Sequence, residues 1–266
     1  MKRWRVLLPL LLAALLALIL WFQKDEVHAR PPAVSQVGSS LAPADIQSSD
    51  AGAGLVVLGS IGKRAILVKP GQPTSNRTIP LPAPGSGLAV RGATAYVTTL
   101  EPAGKVLEVD FETKAIRRQY HVGHTPGSPV LSPDGAILYV ANRFDHTVSC
   151  LDLRTGGRRT VPVIREPVAL ALSKDGKRLF VANHLPCVRP FLDDENPFIA
   201  AEISVIDTNQ AQVIKSIELP NGRQGLRGIA LSPDGRHVIA THVLSHYTRP
   251  TLSVEKGAMN MNAVSV

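Results

Sequence analysis

The stretch Pro129–Ile164, PVLSPDGAILYVANRFDHTVSCLDLRTGGRRTVPVI, decides the fold. Ser132-Pro133-Asp134-Gly135 is a tight-turn tetrapeptide: proline fixes φ, aspartate can bond its own backbone, and glycine accepts a positive φ. Ala136–Ala141 then places Ile137, Leu138, Tyr139 and Val140 on both faces of an extended strand. A strand apolar on both faces is buried on both faces, so its sheet must lie between others. Asn142–His146 reads as a polar loop, Thr147–Asp152 as the next strand, and Thr155-Gly156-Gly157 as a turn into another. The phrase returns as LSKDGKRLFVAN at Leu172–Asn183 and as LSPDGRHVIAT at Leu231–Thr241. A four-stranded unit recurring about every 40 residues predicts the blades of a β-propeller.

Outward from that unit, a second blade reads as Gly87–Val90, Thr94–Thr98, Val106–Asp110 and Arg118–Val122. A first, degenerate blade shows three strands, Leu55–Leu58, Ala65–Lys69 and Thr78–Leu81. A fourth runs from Pro167 to Pro220 and a fifth starts near Leu226. The expected fold class is therefore all-β: a propeller of four-stranded antiparallel blades over residues 55–266. Four to five blades are present, and they read as an incomplete form of a seven-bladed type. Fourteen residues separate Asp134 from Val148, against 28 from Asp175 to Ile203 and 30 from Asp234 to Val264. Two successive blades thus carry insertions between their second and third strands. Equivalent loops of neighbouring blades emerge on one face, so Leu185–Ala201 and Val243–Asn262 are expected side by side, where scaffolds place function.

The repeat also carries a resemblance. LYVAN at Leu138–Asn142 followed by TVSCLD at Thr147–Asp152 resembles the YVTN-type propeller repeat, a WD40-like repeat of bacterial exported and cell-surface proteins. LFVAN at Leu179–Asn183 with ISVIDT at Ile203–Thr208 matches it again, and the resemblance covers the chain from about Leu55 onward. Three further segments are similar to a bacterial subgroup of that family: His184-Leu185-Pro186, LPNGRQGLRG at Leu219–Gly228, and Thr241-His242 through GAMNMN at Gly257–Asn262. In that subgroup the propeller is commonly joined to a c-type cytochrome or di-haem peroxidase-like region. The resemblance therefore implies a c-type cytochrome partner or a missing C-terminal domain.

Met1–Arg5 is basic, Val6–Phe22 is an unbroken apolar run, and Val27-His28-Ala29 offers a cleavage site. Residues 1–29 read as a signal peptide or an N-terminal membrane anchor. Either leaves the domain exported, in the periplasm or outside the cell, touching membrane through that segment alone. Residues 30–54, rich in Pro, Ser, Ala and Gly, read as a flexible linker. The 29 Lys and Arg against 21 Asp and Glu give a net charge of +8. The excess is scattered rather than gathered into a stripe with interleaved aromatics, which argues against a nucleic-acid partner.

Candidate site residues are positional. His184 follows Val181-Ala182-Asn183 and His242 follows Ile239-Ala240-Thr241, which would put both where Arg143 stands in the third blade. His246 and Tyr247 follow in one insertion, and Asp193-Asp194-Glu195 lie in the other. Neutral imidazoles with a carboxylate suit a transition metal, so His184, His242 and His246 are the candidate metal ligands. The bland alternative is that they are exposed or bonded to turns. The loops joining blades hold His121, His124, Arg165, Arg223 and Arg227. With Arg143 they would make a basic mouth for an anionic ligand or a protein partner. Cys150 reads as a buried strand residue and Cys187 as a loop residue. No Cys-x-x-Cys-His is present, so the chain carries no covalent haem site, and no phosphate loop, nucleophile elbow or zinc-protease helix is found. The expected function is an exported binding or scaffold module, part of a periplasmic redox protein. The alternative is an enzyme, either a lactonase-like propeller hydrolase or a metal-dependent one using loop histidines.

Overall fold

The computed structural model describes residues 42–49, 54–72, 76–189, 198–246 and 260–266. All belong to the second of two units, Ser40–Val266, the first being Met1–Ser39. The leader, most of the linker and the acidic Asp193–Glu195 lie outside the described residues.

The described chain is all strand and turn, and it forms a β-propeller. Blade 1 is β1 (Pro43–Ser48), β2 (Leu55–Gly59), β3 (Arg64–Val68) and β4 (Arg77–Pro80). Blade 2 is β5 (Gly85–Arg91), β6 (Thr94–Thr99), β7 (Lys105–Asp110) and β8 (Ala115–His121). Blade 3 is β9 (Pro126–Leu131), β10 (Ile137–Asn142), β11 (Thr147–Asp152) and β12 (Arg158–Pro162). In blade 4, β13 (Pro167–Leu172) and β14 (Arg178–Asn183) are followed by an inserted hairpin, β15 (Cys187–Arg189) and β16 (Phe198–Ala200). The blade then resumes with β17 (Glu202–Asp207) and β18 (Gln212–Glu218). Blade 5 is β19 (Arg223–Leu231), β20 (Val238–Ser245) and β21 (Asn260–Ser265).

One element departs from the sequence expectation. Pro43–Ser48, read there as part of the linker, is strand β1 and pairs antiparallel with β2, from Pro43 opposite Gly59 to Ser48 opposite Leu55. Its composition hid it: PADIQS has one large apolar residue, and that residue, Ile46, is 58% exposed. The strand is held by polar contacts to the next blade instead, with Asp45 Oδ2 accepting from the Leu88 amide at 2.9 Å and Ser49 Oγ donating to the Gly92 carbonyl at 2.7 Å.

The turns follow their sequence. In each Ser-x-Asp-Gly tetrapeptide the glycine amide donates to the serine carbonyl at 2.8 Å. Gly135, Gly176 and Gly235 take φ of 72°, 71° and 71°, a region that costs residues with a Cβ about 1 kcal/mol or more. The core lies between blades. Leu138 and Val140 of β10 join the cluster shared with blade 2, whereas Tyr139 and Ala141 join the one shared with Leu179, Val181 and Ile206 of blade 4. Alternate side chains of one strand thus serve two interfaces, which is why the strand is apolar throughout.

A second device ties the blades at their rims. Arg77 Nη1 on the outer strand of blade 1 donates to the Phe111 carbonyl of blade 2 at 2.8 Å. Arg118 of blade 2 donates to the Leu153 carbonyl of blade 3, and Arg159 of blade 3 to the Asn209 carbonyl of blade 4, both at 3.3 Å. Each carbonyl lies just beyond the third strand of the following blade. The innermost strands pack in succession, β1 on β5, β5 on β9, β9 on β13 and β13 on β19. That packing brings equivalent residues of successive blades to one mouth.

Candidate functional site

Blades 2 to 5 place Ser86, Gly127, Val168 and Arg227 at equivalent points of their inner strands, and all four line one cavity. Above them stand the residues that follow the second strands. The amides of Leu100, Arg143 and His184 donate to the carbonyls of Pro84, Thr125 and Glu166 at 2.7, 3.3 and 2.9 Å. This repeated bond sets the three side chains at one height, and each lines the cavity. Thr125, Pro126, Pro167 and Leu226 complete the wall around a volume of about 290 Å³. The lining is mostly apolar or small, with two arginines and one histidine.

The polar groups are positioned by neighbours. Arg143 gives Nε and Nη2 to Glu166 Oε2 at 3.0 and 2.9 Å, and its guanidinium carbon lies 5.1 Å from the centre of the Phe144 ring. The Glu166 amide in turn donates to His146 Nδ1 at 3.0 Å. Thr125 and Glu166, at matching points of blades 3 and 4, have φ of 49° and 48°. A β-branched residue in the left-handed region is an outlier that its surroundings must enforce. His184 Nδ1 lies 2.8 Å from the Leu226 carbonyl oxygen. A carbonyl can only accept, so Nδ1 carries the proton, and in the neutral ring Nε2 is the acceptor. Arg227 is exposed, and among the described residues it forms no ion pair.

The sequence-predicted residues divide accordingly. Arg143, His184 and Arg227 converge on the cavity. His124 stands beside them without lining it: its ring meets Phe144 edge-on with centres 5.3 Å apart, and its Nδ1 lies 2.8 Å from Thr125 Oγ1. His246 follows β20, half-buried, away from the lining. His121 ends the outer strand β8, and Arg165 and Arg223 also fall outside the lining.

His242 requires a correction of position. Counted from its own turn, it matches Asn142 and Asn183, not Arg143 and His184. Those asparagines are 1% and 0% exposed, and His242 is 2% exposed. Asn142 Nδ2 bonds Ser149 Oγ at 2.9 Å, Asn183 Nδ2 bonds Ser204 Oγ at 3.0 Å, and His242 Nε2 lies 2.9 Å from Ser265 Oγ. Each serine is paired with the residue two before its partner: Val140, Val181 and Ala240. His242 therefore closes a second-to-third-strand link inside blade 5. Its Nδ1 is buried with no partner among the described residues, beside a second cavity of about 430 Å³ that Arg227 also lines. Among the described residues no group of three or more His, Cys, Asp or Glu lies close enough to hold a metal ion.

Neither thiol lines the mouth cavity. Burial pushes the Cys150 thiol up to about 11 despite Arg159. Cys187, in the inserted hairpin, is also pushed up to about 11, by desolvation first and then by its hydrogen bond to Glu202. Both cysteines are free.

Sequence reasoning missed Glu166, Leu226, Thr125, Ser86 and Gly127. Three of the lining residues were within its reach, because Ser86, Gly127 and Val168 follow one another at intervals of 41 residues. Glu166 keeps that spacing from Thr125, but its pairing with Arg143, like the bond of Leu226 to His184, joins different blades and leaves no trace in the sequence.

This geometry defines a β-propeller with a cavity at one mouth. No known protein family matches the chain, and no curated protein matches it. Among solved structures it is similar to Kuenenia stuttgartiensis hydrazine synthase, with a TM-score of 0.73 and 23% identity over 84% of this chain. The likeness spans 62% of that chain, and at this identity it is a likeness of fold.

Proposed function

We propose that the chain is an exported propeller binding module that works within a redox protein and recognises its ligand in the mouth cavity. One observation carries the reading. Four successive blades contribute their inner strands to one cavity, and the residues above it are locked by the same amide bond in three of them. Pre-formed concave sites with a few fixed polar groups are where proteins hold small ligands. The basic start and apolar run of residues 1–22 support export. The resemblance to cytochrome-joined propellers supports the redox setting, with a c-type cytochrome as partner, and the fold shared with hydrazine synthase is compatible with it.

Gly127 supplies the test. A Cβ built there meets no atom within 4 Å, so a leucine at this position would enter the cavity without disturbing the strand. A set of small polar organic fragments, surveyed by protein-observed NMR, is expected to shift the amides of Val168, Leu226 and Arg227 in the native protein. The same fragments should lose that effect in Gly127→Leu, while the melting temperature stays within about 2 °C. Fragments that cluster elsewhere, or bind equally to the variant, would remove the reading.

A further inference from the structure

We propose that the mouth cavity selects a small organic monoanion, a carboxylate with a short apolar body. This rests on the reading of the cavity as a ligand site and adds the chemistry of its occupant. The charge count points to it. Arg143 is neutralised by Glu166 through two hydrogen bonds to one carboxylate oxygen. Arg227 has no such partner among the described residues, and it is the charged member of a ring otherwise made of Ser86, Gly127 and Val168. Among the described residues the cavity therefore presents one guanidinium without a carboxylate partner, at a mouth whose other inner-strand members carry no charge.

A guanidinium offers two parallel N–H groups, which match the two oxygens of a carboxylate. One unpaired cation balances one negative charge. A phosphate dianion would bring a second negative charge for which the described lining offers no second unpaired cation. Beyond the arginines, Ser86, Thr125 and the His184 ring, the wall, including Leu100, Pro167 and Leu226, is apolar and covers an apolar body well. A volume of about 290 Å³ lies at the small end of ligand cavities.

The test uses the whole chain with three probes, benzoate, its neutral isostere benzamide and inorganic phosphate, titrated by calorimetry and NMR. The native protein, Arg227→Gln and Gly127→Leu are compared. Benzoate is expected to bind the native protein about ten- to a hundredfold tighter than benzamide, the factor associated with a charge-assisted pair. Phosphate should bind no better than benzamide. Arg227→Gln should bring benzoate down to the benzamide level without changing the melting curve, because Arg227 is exposed. Gly127→Leu should abolish both. Equal binding of benzoate and benzamide, both lost in Gly127→Leu, overturns the anion selectivity while the cavity remains a ligand site. Benzoate binding that survives Gly127→Leu overturns both readings. Phosphate binding tighter than benzoate overturns the carboxylate in favour of a phosphoryl group. Absence of benzoate binding up to about 10 mM overturns the inference outright.

Discussion

His184 Nδ1 lies 2.8 Å from the carbonyl oxygen of Leu226, joining the end of the second strand of blade 4 to the inner strand of blade 5. The bond fixes the tautomer of the imidazole and seals a wall of the cavity. Leu226 is 0% exposed, so its carbonyl finds no ready substitute donor when the imidazole is removed. His184→Ala is expected to cost about 1 kcal/mol in urea unfolding and to move the Leu226 and Arg227 amides in NMR spectra. An unchanged unfolding midpoint with unshifted amides would show the bond to be unimportant.

His242 is expected to behave as a structural residue. His242→Ala removes a buried imidazole and leaves the half-buried Ser265 without its partner, and should destabilise by about 1 kcal/mol. His242→Asn should recover part of that loss, since Asn142 and Asn183 reach the equivalent serines in blades 3 and 4. Chemical denaturation of the two variants checks this. Equal losses for alanine and asparagine would contradict the shared position.

The turn aspartates give a pH dependence. Asp134, Asp175 and Asp234 are held below the ordinary carboxyl value of 3.8, first by the hydroxyls of Ser132, Ser173 and Ser232 and then by backbone amides. A carboxyl whose folded value is depressed adds stability that is complete above its unfolded value. That stability is lost as pH falls through the folded one. The urea midpoint should therefore drop on going below about pH 4. A variant with all three aspartates replaced by asparagine should show a flatter curve over the same range.

Thiol chemistry should be slow in the native protein. With both thiols near 11 against an ordinary 9.0, the thiolate fraction at neutral pH falls about a hundredfold. Alkylation followed by mass spectrometry is expected to leave Cys150 untouched until unfolding and to modify Cys187 slowly. Glu202→Gln should speed Cys187 alone, because the carboxylate that opposes its ionisation is gone. Equal acceleration at both thiols would point to general loosening instead.

The strands of blades 2 to 4 were legible because turn and strand chemistry is local. Ser132–Gly135 bends wherever it occurs, and Ile137–Val140 must be covered on both faces. β1 was hidden because PADIQS is held by polar contacts from Asp45 and Ser49 to the next blade, and these leave no apolar pattern. His242 was placed one position late. The residues before it, Ile239-Ala240-Thr241, resemble Val181-Ala182-Asn183 in kind, and counting from the turn at Ser232–Gly235 gives the correct register.

The sequence by itself determined an all-β chain of repeated blades, the turns that divide them, and three of the side chains that reach the mouth: Arg143, His184 and Arg227. Those features follow from turn and strand chemistry within single blades, where residue type and spacing act directly. The tertiary structure alone decided that Glu166 neutralises Arg143, that Leu226 fixes the His184 ring, and that Arg227 forms no ion pair among the described residues. Those relations connect residues 23 to 42 positions apart, or depend on every partner at once. They arise from the packing of inner strands that sets successive blades side by side, and the order of residues along one strand does not contain that packing.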